Sequence, residues 1–201
     1  MSSGVVPDGR GLFGGAAKVT AQERVADFAR VQVRAGLLDP VRLQAEVEAA
    51  VAAERPDVDA AATARALVDR ARSDLVAEQA GWDTPTDHER LQHAFATLQA
   101  QQVLVLQAVE DHWVTDAALR ARAADGAPAA GAVWFTAADV WHAVDHGMLE
   151  LNVWHADTAN VAPGEPLLGL VVDALAEVGL EAHFDEGRVE AAVSWRKPAR
   201  P

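Results

Sequence analysis

The chain has 201 residues, half of them apolar, 23% charged and none of them cysteine, which excludes thiolate metal sites, iron–sulfur clusters and disulfide scaffolds. No apolar run approaches the ~18 residues of a membrane helix, and the N-terminus lacks the basic and apolar regions of a signal peptide, so a cytoplasmic location is expected. The net charge is −13, and residues 82–201 carry seven basic against eighteen acidic side chains; such a surface repels phosphate backbones and anionic lipid and attracts basic protein.

Residues 1–19 are glycine-rich without periodicity and are expected to form a disordered leader. Thr20 and Glu23 have the spacing of a capping box, opening a helix that ends near Gly36. Asp39-Pro40 restarts a helix to about Glu54, and Asp57 is expected to cap a third, which closes at Gly81. In that third helix Leu67, Ala71 and Leu75 share a stripe beside Ala64 and Val68. Thr86 or Asp87 caps the next helix, with Leu91, Ala94, Phe95 and Leu98 on its apolar face. Val103 to Leu106 suit a buried strand, or a continuation of that helix to about Glu110.

Residues 117–131, alanine-rich and broken by Asp125-Gly126 and Pro128, read as a surface connection. A strand over Ala132–Phe135 and a helix over Ala137–His146 follow. Leu149, Leu151 and Val153 alternate with Glu150 and Asn152, as a strand with one polar face does. Pro166 opens a helix that ends at Gly179. A terminal hairpin turns at Glu186-Gly187 and sets Val189, Ala191, Val193 and Trp195 on one face. The sum is an α+β fold: an N-terminal layer of three helices, then a small mixed β-sheet of four to five strands with two or three packed helices. The division is a leader over 1–19, a helical region over 20–81 and a sheet domain over 82–198, with 20–198 expected to fold as one unit.

Several stretches together are familiar: Ala77-Glu78-Gln79-Ala80-x-Trp82 with Thr86-Asp87-x-x-Arg90-Leu91-x-x-Ala94-Phe95, then Gly131-x-Val133-Trp134-Phe135 and Asp139, and the closing Trp195-Arg196-Lys197. Over about residues 25–197 the chain resembles a family of uncharacterised, mainly actinobacterial proteins known as a domain of unknown function. The resemblance implies the fold and no reaction. It also departs: that family has a Cys-containing stretch after its first strand, where this chain has Glu110-Asp111-His112-Trp113.

Asp139, His142 and His146 fall within about 60° of arc on one face of their helix, at ~100° per residue. Two imidazoles one turn apart suit a divalent ion, with Asp139 completing the set and His155 and Asp157 as further candidates. No glutamate base stands between the histidines, and the same residues also suit a solvated helix face. Asp111-His112, Asp145-His146 and His155-x-Asp157 each put a carboxylate near an imidazole, but sequence adjacency does not make an acid–base pair. No nucleophilic serine motif or phosphate-binding glycine loop is present. All six tryptophans lie between Trp82 and Trp195. Trp113, in a predicted loop beside Asp111, and Trp154, on the polar face of its strand, are the candidate partner-binding residues, since tryptophan amid acidic groups suits a cationic partner. The favoured function is therefore a non-catalytic, acidic protein-binding module without a cofactor. It would meet a basic protein, in an inhibitor- or immunity-type role, or its own copy as a homo-oligomer. The alternative is a metal-dependent enzyme, a hydrolase using Asp139, His142 and His146.

Overall fold

The computed structural model describes residues 19–199, so the expected leader lies outside the described residues apart from Val19. The first three elements are α1 (Ala21–Ala35), α2 (Pro40–Glu54) and α3 (Ala60–Gln79). Thr20 and Glu23 close the capping box on α1, and Gly36 ends the helix in the left-handed region at φ 59°. Asp39 caps α2 through the Val41 and Arg42 amides. The cap of α3 is Asp59, which accepts from Ala62 N at 3.0 Å, and not Asp57. Asp57 lies in the turn after Pro56, where the Arg55 guanidinium holds both its oxygens. Val25, Ala29 and Val33 of α1 pack with Leu43, Val47 and Val51 of α2 and with Ala64, Val68 and Leu75 of α3. The three helices thus share a core of their own.

Thr86 caps α4 (Asp87–Ala100) in a second capping box with Glu89. The helix stops at Gln101, and Gln102 takes φ 64°, so Val103–Val109 form a strand, β1, rather than more helix. The expected connection over 117–131 is corrected: its first part belongs to a helix, α5 (His112–Ala124). The alanines that look like linker are good helix formers, and Thr115 and Leu119 are buried on the helix's inner side. The turn at Gly126 survives as the link to β2 (Gly131–Thr136). Then come α6 (Ala137–His146), β3 (Met148–His155), α7 (Pro166–Glu177), β4 (Ala182–Asp185) and β5 (Arg188–Ala192).

The sheet order is β1-β2-β3-β5-β4, with β1 and β2 parallel and every other pair antiparallel. One face carries Val133, Phe135, Leu149, Leu151, Val153 and Val189, covered by α4, α6 and α7 in the main core. The other face carries Leu104, Leu106, Ala132, Trp134 and Trp154, over which α5 lays Leu119. Strand alternation assigns these residues to faces, and one bulge inverts it. The β1–β2 register shifts between Leu106 and Val109, and Ala108 sits at φ 52°. Past this point Ala108 packs on the main core and Val109 on the α5 side, a swap produced by one extra residue.

The helical layer is tied to the sheet by Arg30 to Asp145 at 2.6 Å and by Trp195 Nε1–H donating to Ala35 O at 3.2 Å. Val193 and Trp195 keep the inward alternation of the hairpin but lie beyond β5, in extended chain.

Candidate functional site

Among the described residues α5 is the single helix on the second face of the sheet, where it packs on β1 and β2 and reaches β3 at Trp154. The outer half is therefore open, and β3, β5 and β4 present their polar alternates there. Glu150 stands opposite Glu190, Asn152 opposite Arg188, and Glu190 opposite His183. Opposed carboxylates destabilise a sheet unless cations separate them. Arg188 bonds Glu150, and His183 Nε2 lies 3.4 Å from Glu190 Oε2.

At the inner border of this open half the aromatic residues meet. Asp111 accepts from Trp113 N at 2.8 Å and Val114 N at 3.4 Å, so Trp113 belongs to the first turn of α5 and not to a loop. The cap places His112 and Trp113 beside the sheet. The His112 ring lies 4.4 Å from that of Trp113 and 6.3 Å from that of Trp154, and Trp154 meets Trp134 edge-on at 4.9 Å. The result is a step from exposed to buried: Trp113 is 63% exposed, Trp154 half-buried and Trp134 6% exposed. Beneath it, Trp134 Nε1 and Thr115 Oγ1 are buried with no hydrogen-bond partner among the described residues. The two candidate partner-binding residues, Trp113 and Trp154, are thus joined through His112.

The α6 residues are arranged differently. The Thr136 amide and hydroxyl both donate to Asp139 Oδ2, at 2.7 and 2.8 Å, closing a capping box. His142 and His146 are exposed, with ring centroids 4.5 Å apart. Among the described residues no group of three or more His, Asp or Glu side chains is arranged to hold a metal ion. Each neighbouring carboxylate has another task. Asp145 takes Arg30, Asp111 caps α5, and Asp157 accepts from Ala159 N at 3.1 Å. His155 bonds Glu165 at 2.8 Å, and Ala162 N–H with that imidazole holds the Glu165 carboxyl below its usual range.

Sequence reasoning did not find a cleft at the C-terminal ends of β1 and β2, about 300 Å³ in volume. His88 from the first turn of α4, Ala108, Phe135, and Trp195 and Lys197 from the C-terminal segment line it. His88 lies edge-on to Trp195 at 4.9 Å, and burial together with the Lys197 charge pushes its pKa down to about 4. Its imidazole is therefore neutral at pH 7. Trp195-Arg196-Lys197 was the visible signal, but nothing in the sequence says that it folds back against α1 and α4.

The family model described as Domain of unknown function (DUF6891) matches residues 18–199. No curated protein matches the chain. No solved structure matches it.

Proposed function

The chain belongs to the DUF6891 family, whose description names no reaction, and we propose that it is a protein-binding module that receives a basic partner segment on the open sheet face beside Trp113. The observation that carries the reading is the exposure of Trp113 at 63%, against His112 and in line with Trp154, where the polar edge of the sheet begins. Large aromatic side chains of this exposure are anchors in protein interfaces, and their faces attract guanidinium and ammonium groups. Asp111 caps α5, and Glu150, Asp185 and Glu190 lie on β3, β4 and β5 together with Arg188 and His183, in a half-chain of net charge −11. A cationic segment would be steered there by the long-range field and held by the rings.

The reading is tested by titrating the protein with a synthetic arginine-rich peptide at low and high salt, against Trp113→Ala. Binding should weaken with salt and fall at least about tenfold in the variant, the cost of about 1.4 kcal/mol for one lost anchor. Equal binding by both proteins would remove Trp113 from the site. A dimer that disappears in Trp113→Ala, with no peptide bound, would make a second copy the partner.

The metal-dependent hydrolase is favoured by one observation, the adjacency of the exposed His142 and His146 rings. A metal there would activate a water at the helix surface. Stoichiometric zinc or manganese in the purified protein, lost in His142→Ala, would support it; a metal content the variant does not change would end it.

A further inference from the structure

Where α1 meets α6 the two helices leave a cleft of about 290 Å³ between them. Arg24, Phe28 and Val31 recur at the spacing of one face of α1, and Trp141 and Asp145 lie one turn apart on α6. The wall is largely apolar, made by the half-buried Phe28, the buried Val31 and the indole of Trp141. α6 commits Val140 and Ala143 to the main core, which leaves Trp141 at the cleft and 38% exposed.

One polar group in this wall has no task in the fold. Gln32 is only 6% exposed, yet its side-chain amide makes no hydrogen bond among the described residues. A buried amide without a partner is costly, and this one borders the cleft, where it offers an Nε2–H donor beside an Oε1 acceptor. The charges at the rim are already matched. Arg30 bridges Asp27 and Asp145, at 2.7 and 2.6 Å. Arg24 pairs with Glu54 and donates from Nη1 to Val19 O at 2.9 Å. An apolar wall with one unused amide and a neutralised rim selects an uncharged, flat molecule that carries a donor next to an acceptor.

We propose that this cleft binds a purine base of the adenine type, its ring against Trp141 and its amino edge on the Gln32 amide. The pairing is the one by which glutamine reads adenine: Oε1 accepts from the exocyclic amino group and Nε2–H donates to the neighbouring ring nitrogen. The indole supplies a stacking surface for the base. The volume is at the small end of the ~300–1,000 Å³ range of ligand sites, which suits a single base. A chain of net charge −13 opposes a phosphate, so the ligand is the base or nucleoside rather than the nucleotide.

The test is an NMR titration of the full chain, following the Trp141 indole N–H, with adenine, with 6-dimethylaminopurine, which lacks the amino hydrogens, and with adenosine monophosphate. Adenine should shift that signal saturably and bind at least about tenfold more tightly than 6-dimethylaminopurine, the discrimination of one bidentate pair. The monophosphate should bind no more tightly than adenine. Gln32→Leu should erase the preference for adenine and leave the binding of 6-dimethylaminopurine as it was. Trp141→Ala, at an exposed position, should weaken both compounds, and it carries the test if Gln32→Leu fails to fold. No saturable shift at Trp141 with millimolar adenine, equal affinity for adenine and 6-dimethylaminopurine in the native protein, or unchanged adenine affinity in either variant would overturn the proposal. So would a monophosphate that binds more tightly than adenine. The outcome is independent of the peptide titration, which reads Trp113 on the other side of the sheet.

Discussion

At Gly131 a hydrogen is the largest group that fits. A Cβ there would lie 2.4 Å from both Leu167 Cδ2 and Trp154 O, and the carbonyl belongs to a paired strand that cannot move aside. Gly131→Ala is expected to destabilise the fold by about 2–3 kcal/mol, measured by urea unfolding, as overpacking does. Thr115 works in the other direction. Its buried hydroxyl has no partner among the described residues, so Thr115→Val removes an unsatisfied polar group without changing shape. A gain of about 1 kcal/mol is expected, and a loss of stability would mean that the hydroxyl is bonded. His88 predicts a pH dependence. Its folded pKa of about 4 lies below the ordinary 6.5, so between these values the unfolded chain binds a proton that the folded chain refuses. Stability from this residue is present above pH 6.5 and is lost as pH falls towards 4, by on the order of 1–3 kcal/mol after allowing for its partial exposure. Urea unfolding at pH 7 and at pH 4.5 should show a smaller drop for His88→Gln than for the native chain; parallel drops would contradict the assignment. None of these three residues announces itself in the sequence, because what decides each is a neighbour distant along the chain.

Elements were legible where the local chemistry is self-contained. Thr20 and Asp39 were recognisable as caps, and that of α4 was narrowed to Thr86 or Asp87, because a cap and its amides lie within three residues. The alternation of Leu149, Leu151 and Val153 and the hairpin around Gly187 were legible for the same reason, while in α3 the expected stripe of Leu67, Ala71 and Leu75 is centred instead on its neighbours, with Ala64, Val68 and Leu75 buried and Leu67 and Ala71 partly so. α5 was not. Its inward face is narrow, only Thr115 and Leu119 being fully buried, and its alanines resemble a linker. The cap of α3 was misplaced by two residues, because Asp57 and Asp59 are equivalent by type and only the Arg55 contact separates them. At α6 the spacing put Asp139, His142 and His146 on one helix face and could not say that Asp139 turns back to Thr136. Thr136→Ala should therefore cost about 1 kcal/mol of stability by thermal unfolding, the worth of an N-cap. A change below about 0.3 kcal/mol would show that the cap contributes little.

For the whole molecule, the sheet has one closed face and one half-open face, and this asymmetry follows from where α5 stops. The main core needs α4, α6 and α7 on one side, while α5 covers the parallel pair β1 and β2 and the Trp154 end of β3 on the other. Acidic composition and tryptophan placement, both readable from sequence, then acquire a location. Trp113 stands at the border of the open half, and Trp154 continues the step into the sheet. The position of the border was not readable, since it depends on a helix that looks like a connection. The most direct test maps a bound arginine-rich peptide onto the native protein by amide and indole NMR shifts. The account predicts that the largest changes fall on Trp113, Trp154, Glu150 and Glu190, with α1 to α3 unchanged. Changes centred on the helical layer, or no saturable change at low salt, would contradict it.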